Sequence, residues 1–184
     1  MPRESVGLLL FRRTGRGLEV LLAHPGGPFW RNRDEGAWTI PKGELEPNED
    51  PLDAARREFR EETGLEPPDA GAGAGADAGA VADATPRALE PVRQRGGKLV
   101  RAWAIDVGDD FDASAFKPGT FEMEWPPRSG ERRSFPEIDR LEWCGLAEAR
   151  RRINPAQVAL LDEVAAAFGH AGDEHRDGGT ETRS

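Results

Sequence analysis

Residues 43–65 read GELEPNEDPLDAARREFREETGL, a stretch with both ends of a helix and an acidic cluster written into it. Asp50 has the short acceptor side chain of a helix N-cap, Pro51 suits the first helical position, and Gly64 suits a left-handed stop. The spacing therefore predicts a helix over 51–63. Leu52, Ala55 and Phe59 recur at i, i+3 and i+7, so one face of this helix has something apolar to bury. Glu58, Glu61 and Glu62 recur at i, i+3 and i+4, which crowds three carboxylates onto one side. Like charges in that arrangement weaken a helix by a few tenths of a kcal/mol per pair. They also lie toward the C-terminal end, where the helix dipole disfavours negative charge.

Two readings account for the cluster. One is a solvated acidic face paired with Arg56, Arg57 and Arg60. The other is a set of oxygen ligands of the kind magnesium and manganese prefer, ions that complete their shells with water and substrate phosphates.

Outward from this helix, short apolar runs at 6–12, 19–23, 37–40, 89–93, 99–107 and 140–144 read as strands, and Thr14-Gly15-Arg16-Gly17 joins the first two as a hairpin. A second helix is expected over 155–168, capped by Asn154, with Val158, Leu161, Val164, Ala165 and Phe168 on its inner stripe. Strands between helices imply an α/β fold, an α/β/α sandwich with a mixed central sheet. The tract PPDAGAGAGADAGAVADATP at 67–86 has almost nothing to bury and is expected to be a flexible insertion. Residues 1–168 would then form one domain and the polar, Gly-rich 169–184 a disordered tail.

Composition narrows the function. Thirty-four acidic residues against twenty-five basic ones give a net charge of -9, so no basic nucleic-acid footprint and no stable nucleic-acid complex are expected. The longest apolar runs are far short of a membrane helix, and no membrane partner is expected. One cysteine, Cys144, excludes an internal disulfide and a zinc finger. No secretory signal is expected, and the expected location is cytoplasmic.

The box itself resembles the signature of the Nudix hydrolases: Gly43, five residues, Glu49, seven residues, Arg57-Glu58, Phe59, one residue, Glu61-Glu62, one residue, Gly64, Leu65. Nine constrained positions over twenty-three residues are met. The resemblance implies a Nudix-type α/β/α sandwich and a hydrolase acting on acid anhydrides in phosphorus-containing compounds, with Mg2+ or Mn2+ as cofactor. It implies that Glu58, Glu61 and Glu62 are divalent-metal ligands, that the backbone carbonyl near Lys42-Gly43 completes the shell, that Arg57 orients the glutamates and that Glu49 is its partner. Gly43 and Gly64 are expected to permit tight turns through positive φ. Phosphoanhydride cleavage by water follows, since a bound metal neutralises phosphoryl charge and activates water. The alternative is a Nudix-shaped module that senses a nucleotide metabolite without turnover.

Outside the box, Glu122 and Glu124 alternate in TFEMEWPP, and Glu124 is the preferred distal carboxylate, ahead of Glu137. The lead-in Trp38-Thr39-Ile40-Pro41-Lys42-Gly43 is similar to that of the dinucleoside polyphosphate and diphosphoinositol polyphosphate hydrolase branches, and Lys42 is a candidate phosphate contact. Lys98, Arg93 and Arg95 around Gly96-Gly97 form a local basic patch. Trp30 and Trp125 sit in Gly/Pro-rich loops, where each either packs or stacks on a base. Trp103 and Trp143 read as core, His24 as a packed or hydrogen-bonded residue, and Cys144 as a buried thiol. The partner is expected to be a small-molecule phosphoanhydride, bound by a monomer or homodimer.

Overall fold

The computed structural model describes residues 4–69 and 84–169. Strand β1 (Glu4–Thr14) is its centre, because alternate side chains along it are buried on opposite faces. Val6, Leu8 and Leu10 face one core, while Leu9 and Phe11 face another. A strand buried on both sides needs cover on both sides, and helices supply it. Helix α1 (Pro51–Thr63) closes the first core with Ala54, Ala55 and Phe59. Helices α2 (Leu146–Arg152) and α3 (Val158–Phe168) close the second with Ala149, Leu160, Leu161 and Val164. The architecture is the α/β/α sandwich that the residue pattern predicts.

The sheet around β1 is mixed. Parallel to it runs β6 (Leu99–Asp106), from Glu4 opposite Leu99 to Phe11 opposite Asp106. On its other side, β2 (Gly17–Pro25) pairs antiparallel with the far half of β1, from Phe11 opposite Val20 to Thr14 opposite Gly17. The near half is left to the three-residue β3 (Lys42–Glu44), which sets Gly7 opposite Lys42 and Val6 opposite Gly43. Two short strands, β4 (Arg87–Ala88) and β5 (Val92–Arg93), extend the β6 side. Beyond β2 lies β9 (Ile138–Gly145). Strands β7 (Thr120–Glu124) and β8 (Arg132–Pro136) form a separate antiparallel hairpin.

The limits of α1 follow its caps. Asp50 Oδ1 accepts from the backbone N–H groups of Leu52 and Asp53 at 2.9 and 3.1 Å, and Gly64 ends the helix at φ 69°. Phe59, fully buried, is worth on the order of 3 to 5 kcal/mol against alanine at such a position.

Several expectations change. Residues 37–40 are not a strand: they make isolated bridges, Ala23 with Thr39 and Trp38 with Ile153, and the strand begins after Pro41. The second helix is split, since 155–157 is a 3-10 turn before α3. Helix α2 was not expected. Pro67 and Ala84 are buried, so the flanks of the Ala/Gly tract are anchored in the core. The rest of that tract, residues 70–83, and the tail from 170 onward lie outside the described residues. No helix among the described residues is long and apolar enough to cross a membrane.

Candidate functional site

The site forms where the C-terminal half of α1 meets β3, and Arg57 organises it. Arg57 Nε donates to Glu49 Oε1 at 2.8 Å and Nη2 to Glu49 Oε2 at 3.0 Å, a two-point pair that ties the loop before α1 to the helix. Nη1 donates to Glu58 Oε1 at 2.8 Å and to Glu61 Oε2 at 3.1 Å, and Nη2 reaches the Glu44 carbonyl at 3.3 Å. One guanidinium thus orients two box glutamates and holds the end of β3. The pairing pulls Glu49 below the usual carboxylate range, chiefly through the Arg57 hydrogen bonds, and raises Arg57.

The remaining acids are short of compensation. Glu62 is half-buried, with Oε2 accepting from the Lys42 backbone N–H at 2.9 Å. Burial pushes it up to about 7, against the pull of Lys42 and of that hydrogen bond. Glu58 is raised by burial, and Glu61 and Glu137 add to the effect while Arg57 opposes it. Glu137 is raised by burial and then by Glu61. Burial lowers the Lys42 ammonium, with Glu62 opposing and Lys98 adding to the fall. Four carboxylates therefore sense one another, with a lysine beside them.

Two glycines make room for them. A side chain on Gly43 would run into the Glu58 carboxylate. Its role is close approach and not the positive φ expected of it, which belongs to Gly64. A Cβ on Gly119 would sit 2.8 Å from Glu137 Oε2 and 3.0 Å from the Glu61 carbonyl, so Gly119 lies in the seam between them.

The distal carboxylate brought to the box is Glu137, not the preferred Glu124. Glu124 Oε1 accepts from the Gly130 N–H at 3.0 Å and so braces its own hairpin turn, and Glu122 pairs with Arg132 at 3.5 Å. The alternation of Glu122 and Glu124 is real, but their strand lies in the separate hairpin, whereas Glu137 leads from β8 into β9. The FPEIDR context, an acid between an exposed and a buried strand, was the available signal.

A divalent cation fits the chemistry of this donor set: hard oxygen ligands, partly desolvated and raised by mutual repulsion, are what such an ion relieves. Among the described residues no three acids are already arranged to hold one ion. Glu58 and Glu61 are drawn instead to Arg57.

Other candidates fall into place. His24 is fully buried, bonded through Nδ1 to Asp139 Oδ1 and through Nε2 to the Arg33 carbonyl, each at 2.6 Å. Cys144 is buried and its thiol pushed up to about 11 by that burial. Trp103 and Trp143 pack against the α1-side core. Lys98 joins the β5–β6 turn and is felt by Lys42.

Comparison with known proteins bears on the family and the fold. A family model described as NUDIX domain matches residues 1–164. An RNA pyrophosphohydrolase of Halorhodospira halophila (strain DSM 244 / SL1) is 38% identical over 98 residues, covering 53% of this chain and 47% of the relative. The match thus spans about half of that relative's length. The asymmetrical bis(5'-nucleosyl)-tetraphosphatase of Rattus norvegicus is 28% identical over 172 residues, 90% of each chain. Among solved structures, the binary complex of a C. elegans Ap4A hydrolase superposes with a TM-score of 0.56 at 21% identity, covering 90% of this chain and 96% of that one; this likeness concerns the fold.

Proposed function

Because the chain belongs to the NUDIX family, we propose that it is a metal-dependent pyrophosphohydrolase that cleaves a phosphoanhydride bond in a nucleoside diphosphate-linked or polyphosphate substrate. The observation that carries this reading is the Arg57-centred network, which holds Glu58 and Glu61 on the helix that also carries the half-buried Glu62, within electrostatic reach of Glu137. Glu58, Glu61 and Glu62 would hold Mg2+ or Mn2+, with the backbone at Lys42-Gly43 beside them. When bound, the ion neutralises phosphoryl charge and eases deprotonation of water.

The chain's own residues supply the rest. Arg57 restrains two of the glutamates through hydrogen bonds, and they would turn from it toward a bound ion. Glu137 lies outside the helix and senses Glu61, which supports a role for it as the acceptor of the attacking water's proton. Lys42, with Lys98 near it, offers positive charge to a phosphate chain. Substrate names borne by the relatives, RNA and bis(5'-nucleosyl) tetraphosphate, favour a nucleotide carrying several phosphates.

The test is a screen of the full chain against dinucleoside polyphosphates, 5'-triphosphorylated RNA, nucleoside triphosphates, inositol pyrophosphates and nucleotide sugars, with Mg2+, Mn2+ or chelator. Metal-dependent product from one class is expected. Thermal stabilisation by nucleotides with no product across the panel would contradict the reading and favour a sensing module.

A further inference from the structure

Two large apolar side chains stand out on the surface of the described residues: Phe29, 60% exposed, and Trp30, 37% exposed. Both belong to the loop between β2 and residue 37, and that loop is tied down. The Gly26 N–H donates to the Glu137 carbonyl at 2.9 Å, the Arg33 N–H to the Trp30 carbonyl at 2.8 Å, and buried His24 grips the Arg33 carbonyl. Side chains on Gly26 or Gly27 would strike Pro136 or crowd Phe121, so the loop sits directly on the β7–β8 hairpin. Trp125 of that hairpin meets Phe29 edge to face at 5.4 Å between centroids. The Arg33 guanidinium lies 5.8 Å from the Trp30 ring. Exposed aromatic rings held this firmly lose the burial that normally repays them, which calls for an occupant.

Location indicates which one. Glu137 serves both places: its carbonyl anchors this loop, and its carboxylate is the one that faces Glu61. Through Glu137 the loop that carries Phe29 and Trp30 is joined to the carboxylate cluster, and the Arg33 cation lies next to the Trp30 ring. We propose that Phe29 and Trp30, backed by Trp125 and flanked by Arg33, form a stacking platform for the nucleobase of the substrate. This rests on the pyrophosphohydrolase reading and narrows it: the substrate carries an aromatic base. Stacking on aromatic rings accepts any base, so the platform selects nucleotides over base-free phosphates without choosing among bases.

The experiment has two arms. In the first, kcat/KM of the full chain is measured on a nucleoside triphosphate and on inorganic tripolyphosphate, with Mg2+, for wild type, Phe29→Ala, Trp30→Ala and Trp30→Phe. The nucleotide-to-tripolyphosphate ratio is expected to fall roughly tenfold in each alanine variant, the size expected for one lost base contact, and to recover in Trp30→Phe. In the second, in chelator and without turnover, ADP is expected to quench tryptophan fluorescence where ribose 5-phosphate does not, and Trp30→Phe to lose most of that quench. An unchanged ratio in both alanine variants, or an ADP quench of full size in Trp30→Phe, would overturn the platform. If nothing is hydrolysed yet the quench depends on Trp30, the platform stands and the pyrophosphohydrolase reading falls.

Discussion

Arg57 grips Glu49 at two points, Nε to Oε1 at 2.8 Å and Nη2 to Oε2 at 3.0 Å, while its remaining reach goes to Glu58 and Glu61. A lysine has no fork with which to do both. Arg57→Lys should therefore lower kcat/KM by about 10 to 100-fold, the range typical of residues that orient metal ligands. Glu49→Gln should lower it less, since it leaves the contacts to Glu58 and Glu61 in place. Steady-state kinetics beside thermal melts check this; a loss explained entirely by unfolding would contradict the positioning role.

Gly43→Ala separates folding from chemistry. The added methyl meets the far end of the Glu58 side chain, which can swing away at modest cost, so the melting temperature should change little. The displaced carboxylate should nonetheless cost most of the activity. Equal loss of stability and activity would argue against this account.

Stability of the metal-free protein should depend on Glu62. Its folded value of about 7 lies above the ordinary carboxylate value, so between pH 4.5 and 7 the folded state holds a proton that the unfolded state has released. Stability from this group is complete at low pH and is lost as pH rises through 7. By linkage the loss is on the order of 3 kcal/mol. Glu62→Gln, in chelator, should match the wild type near pH 4.5 and exceed it progressively up to pH 8 in denaturant titrations. A gap independent of pH would remove Glu62 as its source.

The Cys144 thiol, buried and raised to about 11, should not react with an aromatic disulfide reagent in the native protein at pH 8, and should react fully once the chain is unfolded. Rapid native labelling would contradict its burial on β9 in the core that α2 covers.

The parts of this molecule legible in its residues are those where local chemistry and global packing agree. Asp50, Pro51 and Gly64 mark both ends of α1, and the i, i+3, i+7 stripe at Leu52, Ala55 and Phe59 marks its inner face. Residues 37–40 misled because an apolar run need not make a ladder: Trp38 and Thr39 are held by single bridges, and Trp38 is buried between Arg140 and Arg152 instead. Helix α2 is short and starts at Gly145 without a side-chain cap, so tertiary contacts, among them the packing of Leu146 and Ala149, define it. The choice between Glu124 and Glu137 depended on where a hairpin folds, for which the FPEIDR context was only a weak local signal. Gly43 looked like a turn glycine, and its reason, the nearness of Glu58, is a contact across fifteen residues.

The proposed divalent-cation site on α1 is tested most directly by manganese titration of the full chain, followed by the loss of the free-ion EPR signal, on wild type, Glu58→Gln and Glu61→Gln. Saturable binding by the wild type and at least tenfold weaker binding by each variant, with the fold intact, are expected. Equal manganese affinity in all three proteins would rule the site out.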